Sequence, residues 1–502
     1  MSLRSRWKNK ETGMETIKRF RYWIALILLV LPILLRGVWY YRGLPSQSKV
    51  LEPNYASNTV PQPPISTPAP EPVQTTSGKI VVLDNSHSNQ YTPSEVEDFI
   101  SQLTRRGAQV EIDSGDPSLE TRLKYASAYI LFSPSTLFGT DEINQLKAFV
   151  GRGGRLIVFA DPTRFTTTFD SSTGASVPQP DVDDINPVVM PFGIMVNKDY
   201  LYDLDKNEGN FRNVYFSQFN KNSVTSGLSQ VVFYGTHSLT TQGGTPLILG
   251  DAHTLSSNTD SGNNLASAVL SADGNVLAFG DFSFLIPPYN TVADNSLLVN
   301  RIADFALSGS RTPTVADFPY VFDRPVSVVP TGKLQLGSDL LNPIASMQKA
   351  LQATGINMEM NPKPAANTDL LVLGSLTPSD DLTPYLEPFN LGMDDPSTIT
   401  LPDFGTINRT GVGLLLYQRT PSRNILILLT DSSSDLPTMI SSLAEGNLLS
   451  SCVLEGDVGV CSVSSGESSS FGSSSSSNFP FPELSSPTPN SSFSTATPTP
   501  GG

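Results

Sequence analysis

The sequence predicts an α/β protein: a mostly parallel sheet with helices on both faces, then a second α/β domain, with one transmembrane helix ahead of them. Three observations carry that prediction. Short apolar runs alternate with helix-length amphipathic stretches between 78 and 165, the same alternation resumes between 318 and 461, and residues 22–41 are apolar over about the length that spans a bilayer. At 502 residues the chain exceeds what one hydrophobic core normally organises, so two or more folded units are expected.

The first element is "YWIALILLVLPILLRGVWYY" at 22–41. Arg36 can extend its charged head to the interface, and Trp39, Tyr40 and Tyr41 are the amphipathic rings expected at that level. Ahead of it, 1–21 carries Arg4, Arg6, Lys8, Lys10, Lys18, Arg19 and Arg21 against Glu11 and Glu15. That basic excess places 1–21 in the cytoplasm and the remainder outside, and "GVWYYRG" lacks a small-residue cleavage site, so a retained signal anchor is expected.

Residues 42–77, with "PNYASNTVPQPPISTPAPEPVQTT", are proline-rich and bury little, which predicts a stalk. From 78 the order is strand "KIVVLD", helix "TPSEVEDFISQLTRRG" with Thr92 as N-cap and Pro93 in its first turn, strand "AQVEI", and short helix "LETRLKYA". Then come strand "AYILFSP", helix "DEINQLKAFVGRGG" and strand "RLIVFADP", which together imply right-handed crossovers and parallel pairing. Residues 166–186 lose the pattern and are expected to be a loop. Periodicity returns at "QVVFYG", "TPLILGD" and "GNVLAFGDFSF", and the helix "NSLLVNRIADFALSG" closes the first domain near 310.

The second domain, 318–461, contains helix "PIASMQKALQATG", strands "TDLLVLGS", "GVGLLLYQ" and "NILILLTD", and helix "LPTMISSLAEG". Its strand order cannot be deduced from this pattern. Residues 462–502 are Ser-, Pro- and Thr-rich and cannot gather enough apolar area to offset ordering entropy, so a disordered tail is expected. Cys452 and Cys461 lie in the external part, where either a local disulfide or two free thiols fits.

Charge narrows the partners. Beyond residue 42 there remain 23 basic and 45 acidic residues, a formal charge of -22, which repels nucleic-acid backbones. The bilayer, an envelope protein or a small ligand are the partners left.

In parallel sheets, ligands gather outside the carboxyl ends of the strands. That rule collects Asp84, Asn85 and His87 after the first strand, Ser133 and Ser135 after the third, Asp161 after the fourth, and Asp281 with Ser283 after "VLAFG". A polar rim around Asp84, His87 and Asp281 is one reading; turn and cap roles are the other. No Gly-x-Ser-x-Gly elbow or phosphate loop occurs, "GRGG" follows a helix, and His87, His237 and His253 are too dispersed for a metal pattern. "DLDKNEG" at 203–209 opens like a calcium loop but has its glycine one place late, and a solvated turn is preferred. No motif demands a cofactor or a metal.

The segments "VVLDNSHSNQYTPSEVEDFISQLTRRGAQVE", "LFSPSTLFGTDEINQLKAFVGRGGRLIVFADP" and "AFGDFSFLIPPYNTVADNSLLVNRIADF" together resemble the DUF4350 family over about 78–310. The resemblance implies a flavodoxin-like sheet of the class I glutamine amidotransferase-like kind, related to domains of GldG-type gliding and transport accessory proteins. It also implies a bacterial envelope protein with a membrane helix. By similarity Asp84, His87 and Asp281 match the family pattern without an assigned chemistry. The amidotransferase relatives use Cys-His-Glu, and 78–310 contains no cysteine. The leading expectation is a membrane-anchored, extracytoplasmic binding or scaffold protein; the rival is a hydrolase using Asp84, His87 and Asp281.

Overall fold

The computed structural model describes residues 5–41, 78–259, 264–335, 337–361, 363–446 and 451–463. The expected stalk at 42–77 and nearly all of the expected tail lie outside the described residues.

Helix α1 runs Ser5–Tyr41 with Pro32 inside it, so the basic and apolar parts of the N-terminal segment form one continuous helix. Its Arg19–Tyr41 portion, 23 residues, is long and apolar enough to cross a membrane. Trp23, Leu28, Leu29 and Trp39 are exposed along it. This helix belongs to one compact unit, and both sheets belong to another, Pro68–Asn290 with Asp294–Gly502.

The first sheet has ten strands. Its parallel part contains β1 (Ile80–Asp84), β2 (Gln109–Asp113), β3 (Ala128–Phe132), β4 (Arg155–Phe159) and the strand Val276–Phe279, in the spatial order β2, β1, β3, β4, Val276–Phe279. β1 therefore has its successor in sequence on one side and β3 on the other, which puts the topological switch point between β1 and β3. Beyond Val276–Phe279 the sheet turns antiparallel through Ala266–Leu270 and Thr245–Leu249.

Helices cover both faces. Strand side chains alternate, so Val82, Tyr129, Leu131, Leu156 and Val158 share a core with Leu119 and Leu123 of α3 (Leu119–Leu123) and with Leu146, Phe149 and Val150 of α4 (Thr140–Gly151). On the other face Phe132, Phe159 and Phe279 are register partners and stack at 5.0 and 5.2 Å, with Phe99 of α2 (Pro93–Arg105) edge-on to Phe159. α2 packs on the helix Asn295–Leu307 on this side.

Two glycines mark close approaches. Gly153, at φ +90°, turns the chain out of α4 into β4. At Gly280 a Cβ would lie 2.2 Å from the His237 carbonyl oxygen, so the chain leaving Val276–Phe279 touches backbone directly.

Residues 165–180 differ from the loop expectation: Phe165–Asp170 and Ala175–Pro180 pair as an antiparallel hairpin around Gly174. Their side chains are largely exposed, so no buried face imposed an alternating apolar pattern that could be read.

The second sheet has seven strands. Met358–Met360, Val326–Pro330, Asp369–Ser375 and Asn424–Thr430 run parallel in that spatial order, followed by antiparallel Val412–Arg419, Val458–Ser462 and Cys452–Glu455. Helices Leu341–Ala353 and Leu436–Ala444 pack together over one face, around Met347, Leu351, Met439 and Leu443. Cys452 and Cys461 face each other across the last hairpin and are joined by a disulfide.

Candidate functional site

β1 carries four consecutive buried residues, Val81 to Asp84, so its first carboxylate arrives at the sheet edge already out of water. A buried carboxylate is tolerable only if its oxygens are hydrogen-bonded. Asp84 meets that demand from three directions. Ser86 donates its N–H (3.1 Å) and its hydroxyl (2.7 Å) from the following turn, Asn89 donates Nδ2–H at 2.6 Å, and the Tyr129 hydroxyl from β3 reaches Oδ1 at 2.9 Å.

The fourth partner is His87, whose Nδ1 lies 3.0 Å from Asp84 Oδ2. On its other side Nε2 lies 3.4 Å from Glu142 Oε1, contributed by the first turn of α4. The ring stacks on Phe138 at 3.5 Å between centroids, leaving His87 only 5% exposed. Both ring nitrogens thus face acceptor-only carboxylates, an arrangement that favours the imidazolium. Burial alone would lower the His87 pKa, but the hydrogen bond and charge of Asp84 and the charge of Glu142 outweigh it and hold the imidazole above its usual value. For Asp84, burial pushes upward and the bonds from His87, Ser86 and Tyr129 prevail, keeping the carboxyl below its ordinary value.

The network continues across β2. Tyr129 also lies 3.0 Å from Asp113 Oδ2, and Asp113 Oδ1 is 2.9 Å from Nε of Arg122 in α3. Tyr129, Asp84 and Asp113 are fully buried. One phenolic proton therefore serves two carboxylates, and burial with both charges drives the Tyr129 pKa far upward. The result is a chain of polar groups, Glu142, His87, Asp84, Tyr129, Asp113, Arg122, running across the carboxyl ends of β3, β1 and β2. It spans the switch point. Asn89 ties the turn to β3 by accepting the Phe132 N–H at 2.5 Å.

The other candidate residues fall in different places. Asn85 is exposed and donates its backbone N–H to the Asp113 carbonyl at 2.9 Å. Ser133, at φ +43°, is buried, and its hydroxyl has no hydrogen-bond partner among the described residues. Ser135 donates its hydroxyl to the Ser88 carbonyl at 2.9 Å.

Asp281 does not join Asp84 and His87. Three strand spacings, about 14 Å, separate β1 from the strand that precedes Asp281. Asp281 instead faces Asp161 from the end of β4, and both are fully buried. Asp281 accepts N–H groups from Tyr234 (2.8 Å) and Ser283 (2.7 Å); the Ser283 hydroxyl donates to Asp161 at 2.8 Å. Burial and the neighbouring Asp161 charge raise the Asp281 pKa well above the carboxylate range. Asp181 binds the Asp161 N–H at 2.8 Å and approaches His237 Nε2 at 3.2 Å, extending this second cluster.

Sequence reasoning missed Asn89, Tyr129, Glu142, Asp113 and Arg122. Asp113 had a usable signal, since it ends the second strand as Asp84 ends the first. Tyr129 had none, because within "AYILF" it reads as one more apolar core residue. At 203–209, Asp203 accepts the N–H groups of Asp205 and Lys206 at 2.8 and 2.7 Å, a carboxylate-closed turn. No group of three or more His, Cys, Asp or Glu side chains suited to a metal occurs among the described residues.

No family model matches the chain, and no curated protein matches it. Solved structures with a detectable likeness include the mmIFT52 N-terminal domain, at 13% identity and TM-score 0.37, covering 46% of this chain and 99% of that one. A ThuA-like protein from Bacteroides uniformis ATCC 8492 is similar at 12% identity and TM-score 0.28, covering 47% of this chain and 94% of that one.

Proposed function

We propose that this chain is a membrane-anchored binding or scaffold protein of the bacterial cell envelope, with residues 22–41 of α1 in the bilayer, residues 1–21 in the cytoplasm and both sheets outside. The apolar Arg19–Tyr41 helix supports the anchor, and the basic residues before it support the orientation. The parallel strand order, with its switch between β1 and β3, supports a flavodoxin-like architecture of the glutamine amidotransferase-like kind and the DUF4350 assignment of 78–310. The edge of the first sheet around Glu142 and His87 is where a small ligand or envelope partner would meet the protein.

One observation carries the binding reading over a catalytic one. The His87 imidazole is clamped between two carboxylates and covered by Phe138, so its Nε2 meets Glu142. A general base acting on a hydroxyl would present that nitrogen to the nucleophile. A second reading, hydrolysis, draws on the Asp84–His87 bond, which orients an imidazole as a base-orienting carboxylate does.

A reporter fused after residue 60 should react only with membrane-impermeant reagents applied outside the cell; reaction from the cytoplasm alone would reverse the topology. For the second reading, ester turnover by the detergent-extracted full chain that disappears in His87→Asn would replace binding by catalysis.

A further inference from the structure

The second sheet repeats the geometry that makes β1–β3 a natural ligand edge. Val326–Pro330 lies between Met358–Met360, which follows it in sequence, and Asp369–Ser375, which follows that, so the crossovers leave in opposite directions. A crevice belongs at the carboxyl ends of Val326–Pro330 and Asp369–Ser375. A cavity of about 430 Å³ opens there, lined by the segments that leave three strands: Thr331 to Leu334, Gly374 to Ser379, and Ser433. Its volume falls within the range of small-molecule sites.

The chemistry of the lining is one-sided. Lys333 is its one charged residue, exposed, and makes no ion pair among the described residues. Thr377 and Ser433 bring hydroxyls from the second and third of these segments, and neither hydroxyl has a hydrogen bond to a described group. An ammonium and two hydroxyls approaching from three separate loops suit a tetrahedral oxyanion better than a planar carboxylate. Two other donors of the lining are already taken by a carboxylate at its rim, which leaves Lys333, Thr377 and Ser433 as the groups free to meet an anion and sets the Asp381 charge against it. Asp381 accepts the Gly332 N–H at 2.9 and 3.1 Å and the Ser379 hydroxyl at 2.6 Å, and these bonds hold its carboxyl below the usual range. Gly374 forms part of the floor, where a Cβ would lie 2.5 Å from Thr331 Oγ1 and 3.2 Å from Leu429 Cδ2, so the backbone and Thr331 pack directly together there.

From this geometry we infer that the cavity between Lys333, Thr377 and Ser433 is a second binding site, for the phosphate group of a small phosphate monoester. A phosphate fills only part of the volume, and Leu334 and Pro378 offer apolar contact to the organic remainder. The inference is independent of the first sheet.

The test is titration of the detergent-solubilised full chain with inorganic phosphate at low ionic strength, followed by calorimetry. Phosphate should bind. Lys333→Ala should weaken it at least about tenfold, the loss expected for one charge-assisted hydrogen bond, with Tm unchanged because Lys333 is exposed. Ser433→Ala should weaken it less, and His87→Asn not at all. Absence of binding at millimolar phosphate, equal binding by Lys333→Ala, or acetate binding as tightly as phosphate would each overturn the assignment.

Discussion

Asp281 and Asp161 have no exposed surface and share Ser283, which gives its N–H to Asp281 at 2.7 Å and its hydroxyl to Asp161 at 2.8 Å; burial and the neighbouring Asp161 charge favour the protonated form of Asp281. That protonation has a pH signature opposite to the usual acid denaturation. Asp281 binds its proton more tightly folded than unfolded, so its contribution is full below the unfolded value of about 3.9 and is lost as pH rises through the raised folded value. Unfolding free energy measured from pH 4 to 8 should therefore fall more steeply in the wild type than in Asp281→Asn. Parallel curves for the two proteins would mean the pair is not protonated.

His87 and Asp84 give two further windows. The His87 contribution is complete below about pH 6.5 and lost above it as the imidazolium deprotonates; that of Asp84 is complete above about pH 3.9 and lost in stronger acid. The chain has three histidines, so selective ring labelling gives three sets of ring signals to assign. The signal abolished by His87→Asn should titrate above the free-histidine value and move down in Glu142→Gln. Titration at or below the ordinary value would show that the two carboxylates do not stabilise the charged ring.

Tyr129→Phe removes the phenolic proton that lies between Asp84 and Asp113 while keeping the ring, and leaves only the more distant Ser86 hydroxyl, 3.5 Å from Asp113, in that position among the described residues. Both carboxylates lose a partner in a fully buried place, and the cost should be about 1–3 kcal/mol in denaturant unfolding. A loss under about 0.5 kcal/mol, the ordinary range for surface substitutions, would show that water or Arg122 replaces the phenol.

The Cys452–Cys461 bond closes a short loop at the edge of the second sheet. Non-reducing mass analysis of exported protein should show this single linkage. Replacing both cysteines by serine should cost about 2–3 kcal/mol on the chain-entropy account of so short a loop. Two free thiols in the exported protein would remove the linkage and with it the expected cost.

The alternation of apolar runs and amphipathic helices made the α/β class legible because burial on both sheet faces leaves continuous runs such as "KIVVLD" and "AYILF". The strand-end rule located Asp84, His87, Asp161 and Asp281, since polar residues closing buried strands are visible as interruptions. What it could not see was lateral distance. Asp84 and Asp281 end strands that look equivalent in sequence, yet three strand spacings lie between them. Nor could it find Tyr129, whose hydroxyl matters only because two carboxylates from neighbouring strands converge on it. The antiparallel extension was equally obscure, because short strands such as Gln218–Phe219 carry too few residues to establish a period.

The bare backbone contact at Gly280 has a consequence for anyone mutating this protein blindly. Even a methyl group there would have to displace the His237 carbonyl, and the backbone cannot yield without giving up the bonds from the Gly280 N–H to the Ser267 carbonyl and from the His237 N–H to the Gly280 carbonyl. In a saturation library that position should come back as a single letter, while the exposed hairpin at 165–180 accepts nearly the whole alphabet.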